Sequence, residues 1–302
     1  MKRTTRLRAS LDAPEILVAP GAYDGTGARL VQALGFEAIY MSGFETSAGL
    51  LGEPDVGYLT MTQMATRVST ICDIVDLPLI ADGDTGYGNP LNVRRTVKAY
   101  EKAGAAGMHI EDQTFPKCCG HLLGRHVIPT GEMVEKVKAA VDARDDPAFV
   151  IIARTDARTT MGLDEAIDRG AAYHEAGADM LFIESPESED EMRRVCVAFR
   201  GVVPVLINQI EGGRTPTPGV RALQEMGYAL ALFSVGTALA AAKGMRRYLE
   251  ALAAEGDTSG VLDDVILFED FTQLIGLGAH VELEKRYEGH LDDGAQPRPR
   301  RR

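Results

Sequence analysis

Three clusters of polar residues in this 302-residue chain have types and spacings that could do chemistry. The sharpest is Ala81-Asp82-Gly83-Asp84-Thr85-Gly86-Tyr87-Gly88. Residues i and i+2 of an extended segment project to one side, so Asp82 and Asp84 can converge, and the glycines let an ion or substrate approach the backbone. Oxygen donors without a His or Cys cluster beside them select Mg2+ or Mn2+ over zinc. Magnesium keeps several waters, which Glu111 and Asp112 could hold. Asp and Gly also build ordinary turns and helix caps. Glu111, at the end of a separate apolar run, favours the metal reading over that plainer one.

The second cluster is Pro116-Lys117-Cys118-Cys119-Gly120-His121. A thiol between a lysine and a histidine lies in an electropositive setting that lowers its pKa, as a proton donor working near neutrality requires. Cys72 and Cys196 lie in helical patterns among apolar residues and read as packed structural cysteines. The third cluster is the glycine-rich Asn208-Gln209-Ile210-Glu211-Gly212-Gly213-Arg214-Thr215-Pro216, at a place where many barrels bind an anion. Arg154 could grip a carboxylate with two parallel bonds, or pair structurally with Asp82 or Glu184. His109 lies inside an apolar run and reads as a packed residue.

The elements that hold these clusters follow a repeated local pattern of helix, glycine and short apolar strand. It recurs around Gly35, Gly104, Gly177 and Gly227. A glycine after the last helical turn supplies the left-handed residue that caps a helix. The apolar runs lack strict alternation, as strands buried on both faces do. Eight such strands are predicted, near 16–20, 38–42, 78–82, 107–111, 149–154, 180–184, 204–208 and 229–233, with helices over 90–103, 131–144, 163–176 and 237–253 among those between them. Eightfold alternation predicts an α/β fold of the (β/α)8 TIM-barrel kind. An open doubly wound sheet is the alternative, but no Gly-x-Gly-x-x-Gly turn follows the first strand. Polar residues close seven of the eight strands: Ser42, Asp82, Glu111, Arg154, Glu184, Asn208 and Ser234. In a barrel these ends share one rim, where the chemistry of this fold collects.

The net charge of −12 repels phosphate backbones and anionic lipid, so neither nucleic acid nor membrane is an expected partner. Four irregularly spaced cysteines make no disulfide framework. No apolar run of signal-peptide or membrane-spanning length is present, and a cytoplasmic enzyme is expected. The predicted domains are a catalytic barrel over 1–254, a helical oligomerisation segment over 255–290 and a disordered basic tail over 291–302. Val261, Val265, Phe268 and Leu274 give the second of these an apolar stripe, which predicts a homodimer or homotetramer.

From about Pro14 to Tyr248 the sequence resembles the isocitrate lyase/phosphoenolpyruvate mutase superfamily. The resemblance rests on Met41-Ser42-Gly43, Leu51-Gly52-x-Pro54-Asp55-x-Gly57, Asp82-Gly83-Asp84-x-Gly86-x-Gly88, Ile110-Glu111-Asp112-Gln113, Lys117-x-Cys119-Gly120-His121, Ala153-Arg154-Thr155-Asp156-Ala157 and Glu211-Gly212-Gly213-x-Thr215-Pro216. It implies Mg2+ near Asp55, Asp82, Asp84 and, through water, Glu111. Ser42, Gly43 and Phe44 would hold the 2-oxo-acid end of a small carboxylic-acid substrate. Arg154, Asn208 and Glu184 would hold the rest, beside Gly120 and Ser234. Lys117 and His121 would ride a closing loop, and Cys119 would protonate the enolate left by carbon–carbon cleavage.

The activity implied is a lyase or hydrolase acting on a malate-like diacid, with carboxyphosphonoenolpyruvate phosphonomutase as the alternative and a non-catalytic barrel as a remote one. Two positions depart from the lyase pattern. Cys118 stands where that pattern has a basic residue, and Ser234 resembles the serine of oxaloacetate hydrolases and 2-alkylmalate lyases where many lyases carry proline. Ser234 could instead cap the following helix.

Overall fold

The computed structural model describes residues 1–120 and 124–288. Its eight strands are β1 (Leu17–Pro20), β2 (Ile39–Met41), β3 (Leu79–Asp82), β4 (Gly107–Glu111), β5 (Val150–Thr155), β6 (Met180–Ile183), β7 (Val205–Asn208) and β8 (Leu230–Phe233). All neighbours pair in parallel, in the order β1-β8-β7-β6-β5-β4-β3-β2. The ring closes between β1 and β2 on a single bridge from Gly21 to Tyr40, with Ala22 N donating to Tyr40 O at 2.9 Å. The fold is the predicted (β/α)8 barrel, and each strand falls within a residue or so of its expected place.

Gly35, Gly104, Gly177 and Gly227 all take positive φ, as the helix-end reading requires. The helix Pro90–Ala103 illustrates how local sequence sets these boundaries. Asn89 caps it by accepting from Leu91 N and Asn92 N, proline occupies its first turn, and Gly104 ends it at φ 98.

One element is unannounced by the sequence pattern. The helix Arg3–Leu11 lacks an apolar face, and only Thr4 and Leu7 along it are buried. Leu7 packs at the bottom of the barrel with Ala106 and Val150, while Arg3 and Arg8 donate to the carbonyls of Cys72, Val75, Ala148 and Phe149. Arginines satisfying loop carbonyls do here what an apolar stripe does elsewhere.

Side chains alternate across each strand. Leu17 and Ala19, Ala38 and Tyr40, Ile80, Val150 and Ile152, Met180 and Phe182, Leu206, Leu230 and Leu232 fill the barrel interior as one cluster. The alternate residues, such as Leu79, Ala81, Ile151, Leu181 and Ile207, pack in the layer that also holds helix residues such as Val93 and Val137. Continuing the inward series by two residues leads from Tyr40 to Ser42, from Ile80 to Asp82, from Ile152 to Arg154, from Phe182 to Glu184, from Leu206 to Asn208 and from Leu232 to Ser234. The barrel's own periodicity thus stacks the polar rim on the apolar core.

Compact packing divides the chain at residues 242/243, inside the long helix Gly236–Glu255. The second unit continues through a 3-10 turn at Ser259–Asp264 and the helices Phe268–Leu274 and Leu277–Glu288. Arg247 Nε pairs with Asp264 Oδ2 at 2.8 Å within it. Of the four apolar residues singled out in this region, Val261 is buried, Val265 and Leu274 are half-buried, and Phe268 is 83% exposed. The basic tail lies outside the described residues, and no described helix is long and apolar enough to cross a membrane.

Asp112 departs from its expected role of holding metal-bound water. It is completely buried, and both carboxylate oxygens are taken. Oδ2 accepts from Thr155 Oγ1 at 2.7 Å, Tyr173 Oη at 2.8 Å and Arg169 Nη1 at 3.2 Å, while Oδ1 accepts from Asp156 N at 2.9 Å. Asp112 follows Glu111 directly, so alternation turns it to the opposite side of the strand. Asp112→Ala is expected to destabilise the protein by about 3 kcal/mol or more, because it leaves a buried guanidinium short of its partner. Urea unfolding monitored by circular dichroism measures this, and a change near zero would show the network to be dispensable.

Candidate active site

The rim residues enclose a small cavity of about 30 Å3 at the C-terminal mouth of the barrel. Among the expected site residues, Ser42, Phe44, Asp55, Asp82, Glu111, Lys117, Cys119, Gly120, Arg154, Glu184, Asn208 and Ser234 line it. Gly43 and Asp84 do not. Gly43 N donates to Asp82 Oδ2 at 2.9 Å, and Asp84 is paired with Lys117. His121 lies outside the described residues.

The floor is aromatic. The His109 ring meets Phe182 edge-on at 5.7 Å and stacks at 6.0 Å on Tyr40, and the Arg154 guanidinium lies 5.0 Å from the Phe182 centroid. His109 is packed, as its sequence setting suggests, and it also meets the acids of the rim. Its Nε2 lies 3.0 Å from Asp82 Oδ1 and 3.9 Å from Glu111 Oε2, and its Nδ1 is 3.3 Å from Tyr40 Oη. Donor atoms of Asp82, His109 and Glu111 all lie within 4.8 Å of one another. The signal was present in the sequence: His109 precedes Glu111 by two residues and so shares its face of β4.

Negative charge dominates the side formed by Asp55, Asp82, Asp84 and Glu111. Lys117 Nζ reaches into it, 2.7 Å from Asp55 Oδ1, 2.8 Å from Asp55 Oδ2 and 2.5 Å from Asp84 Oδ1. Burial opposes ionisation of Asp82, but His109 and Lys117 outweigh it and hold that carboxyl well below its usual range. Burial pushes Asp84 up to about 6, with Lys117 pulling it down and Asp82 and Asp55 pushing it further up. Glu111 is raised well above a normal glutamate by burial, only partly offset by Arg154. Burial also works against the Lys117 charge, yet Asp84 and Asp55 keep its ammonium well above the ordinary lysine value. Glu111 Oε1 is buried without a hydrogen-bond partner. Convergent carboxylates, a cationic side chain already drawn among them and an unpartnered buried oxygen form a donor set that fits a hard divalent cation.

Arg154 crosses to the other side. Its Nε and Nη2 each donate to Asp156 at 2.9 Å, and Nη1 and Nη2 lie 3.3 Å from Glu111 and Glu184 respectively. Asp156 is thus the principal partner, and of the two structural partners considered from sequence Glu184 is also met, whereas Asp82 is not among its ion pairs. The same Asp156 Oδ1 accepts from Arg125, whose other nitrogen bonds Thr159 Oγ1 at 2.5 Å. Glu184 Oε1 accepts from Ser185 N at 2.8 Å. Gly120 packs where only glycine fits, since a Cβ there would lie 2.4 Å from Arg154 Nη2 and 2.8 Å from Glu184 carbons.

The cysteine loop is held by an amide. Gln113 donates from Nε2 to Cys118 O at 2.9 Å and accepts at Oε1 from Cys118 N at 3.1 Å, and Cys119 N donates to Asp55 O at 3.2 Å. Burial pushes the Cys118 thiol up. Ser234 Oγ donates to Asn208 Oδ1 at 2.7 Å, joining the rim positions of β7 and β8. Of the glycine-rich loop after β7, Asn208 and Ile210 line the cavity, whereas Glu211 to Pro216 do not.

Comparison with known proteins places this arrangement. The chain is 47% identical to 2,3-dimethylmalate lyase of Eubacterium barkeri, over 95% of its own length and 99% of that protein's. It is 41% identical to 2-methylisocitrate lyase of Aeropyrum pernix, over 93% and 88% of the two chains. Among solved structures, oxaloacetate acetylhydrolase in complex with the inhibitor 3,3-difluorooxalacetate superposes with a TM-score of 0.91 at 34% identity, covering 95% and 97%. Fold and site define a (β/α)8-barrel enzyme, a lyase of the isocitrate lyase/phosphoenolpyruvate mutase superfamily. Within it the chain belongs to the phosphoenolpyruvate phosphomutase family, which matches residues 7–253.

Proposed function

We propose that the protein is a Mg2+-dependent lyase that breaks a carbon–carbon bond in a malate-like 2-hydroxy or 2-oxo diacid, with 2-alkylmalates, 2-methylisocitrate and oxaloacetate as the substrate class. The observation that carries this reading is the cavity's division into two sides. Asp55, Asp82 and Glu111 line it together with Arg154, Asn208 and Ser234, and Cys119 lines the same space. A dicarboxylate with a metal-binding 2-oxo or 2-hydroxy acid end and a second carboxylate fits such a division. Near-complete coverage of a dimethylmalate lyase at 47% identity supports the same class.

In this reading Asp55, Asp82, Asp84 and, through water, Glu111 hold Mg2+, with Mn2+ as a substitute. The bound ion would polarise the 2-oxo or 2-hydroxy acid group. Ser42, Gly43 and Phe44 hold that end of the substrate, while Asn208, Ser234 and Glu184 hold the other. On scission the substrate hydroxyl, or that of a hydrated 2-oxo group, gives its proton to a base as its carbon becomes a carbonyl, the bonding pair passes to the fragment that becomes an enolate, and Arg154 stabilises that charge in a water-poor site. Cys119 delivers a proton to the enolate carbon, with Lys117 and Gly120 beside it on the same loop. A panel of 2-alkylmalates, 2-methylisocitrate, oxaloacetate and phosphonates, read by mass spectrometry with and without Mg2+, tests the proposal. Turnover of the phosphonates alone would replace it with the phosphonomutase reading, and no turnover of any would leave a binding barrel.

The second unit suggests self-association. Leu262, Ile266, Leu267 and Phe268 are about half exposed or more in the isolated chain, apolar side chains of the kind that mark an interaction surface when they lie together. We assign the 255–290 segment to packing on a second copy, as a homodimer or homotetramer. Light scattering at micromolar concentration is expected to show an oligomer, and a monomer defeats the assignment.

Asp84→Ala is expected to abolish Mg2+ binding in calorimetry and activity with it, while the circular dichroism spectrum is kept. Unchanged binding would remove Asp84 from the metal set. Cys119→Ala should lower turnover by ~100-fold or more, the scale of a positioned proton donor, and Cys118→Ala far less. Steady-state kinetics giving the reverse order would move the reacting thiol to Cys118.

A further inference from the structure

Glu45 lies in the first turn of the helix Gly43–Leu51, is completely buried, and does not line the cavity. Its Oε1 accepts from Ala238 N at 3.0 Å and lies 2.8 Å from Thr237 Oγ1. Thr237 Oγ1 lies in turn 2.9 Å from Gly21 O. A threonine hydroxyl has one hydrogen, and a backbone carbonyl can only accept. With Glu45 ionised, that hydrogen serves Oε1 or Gly21 O and leaves the other contact as two bare oxygens. One added proton completes the chain: Glu45 Oε1–H to Thr237 Oγ1, and Thr237 Oγ1–H to Gly21 O.

The second carboxyl oxygen points to the same answer. Oε2 is buried without a hydrogen-bond partner, tight against Gly21, where a Cβ would lie only 2.5 Å away. An ionised oxygen in that position would carry charge with nothing to solvate it. The charged groups bearing on it are Asp24, after β1, and Glu211, after β7, and both are negative. Tyr23 is the other titratable neighbour.

We propose that Glu45 is a positioning residue that works as a neutral carboxylic acid, clamping together the two substrate-facing segments Ser42–Phe44 and Ser234–Val235. The clamp sits at the seam between β1 and β2, where a single bridge closes the barrel. It ties the end of β1 at Gly21 and the helix after β2 to the first turn after β8, through Thr237 and Ala238. Burial, opposed in part by the bonds from Thr237 and Ala238, pushes the Glu45 carboxyl up to about 7. Between the usual glutamate value and that raised one the folded state binds a proton the unfolded state has lost, so raising the pH across this window costs stability.

The test compares the wild type with Glu45→Gln, which keeps volume and neutrality and retains a carbonyl for Ala238 N–H. Unfolding by urea from about pH 5 to about pH 8 should show the wild type losing stability relative to Glu45→Gln up to about pH 7 and no further. Parallel curves overturn the proposal. Should Glu45→Gln not fold, Glu45→Met provides the same uncharged reference. The effect on substrate rests on the proposed function, so it is read separately. KM of the wild type should rise roughly 2- to 10-fold across the same window with kcat unchanged, the scale of one net hydrogen bond, and Glu45→Gln should keep the low-pH KM throughout. A substrate panel without turnover would defeat the proposed function and leave the unfolding comparison to decide on Glu45.

Discussion

Asp55, Asp82, Asp84, Glu111, Asp156 and Glu184 are buried around the mouth of one barrel, with Lys117 and Arg154 set among them. Six carboxylates against these two cations and Arg125, which bonds Asp156, leave three more acidic groups than basic ones. Burying unpaired charge costs several kcal/mol per ion, so the rest of the structure is arranged around this imbalance. Lys117 is pulled down from its loop to span Asp55 and Asp84, and Arg154 meets three acids at once. Asp84 and Glu111 take part of the strain as raised proton affinity. A divalent cation would offset most of that excess, and a dianionic substrate would need that cation and Arg154 both in place.

The barrel supplies the rigidity for this concentration of charge. Its interior is filled by side chains of the inward series, ending in Tyr40 and Phe182, and the polar rim begins at the next inward position. Because the two layers share one periodicity, any register shift that misplaced the acids would also open the core. That coupling explains why a charged mouth can be carried on strands only three to six residues long.

The same periodicity governs how much could be read from the sequence. Strand positions, the helix-ending glycines and most of the rim were legible, because burial on both faces and chain-reversing glycines leave local signatures. What His109 meets and where Asp112 points were missed for one reason. Each was read by its neighbours in the chain, whereas facing along β4 sends His109 inward with Glu111 and Asp112 outward to Arg169 and Tyr173. Asp156 stands two residues beyond Arg154 and so faces the same way, a local relation that went unread, whereas Glu45 beneath Gly21 depends on contacts between distant segments that no local pattern encodes. The helix Arg3–Leu11 was hidden because it is held by arginines on carbonyls instead of an apolar face.

Asp156 Oδ1 is shared by Arg125 and Arg154. One residue belongs to the segment that follows the cysteine loop, the other to the cavity wall, and a single oxygen serves both. Lysine at either place would keep the charge but lose the planar fork through which Arg125 also reaches Thr159 and Arg154 also reaches Glu111 and Glu184. Positions 125, 154 and 156 are therefore heritable as a set. Exposed positions on the barrel's outer helices carry no such link, whereas an exchange at one of these three sites disturbs the pairing of the other two.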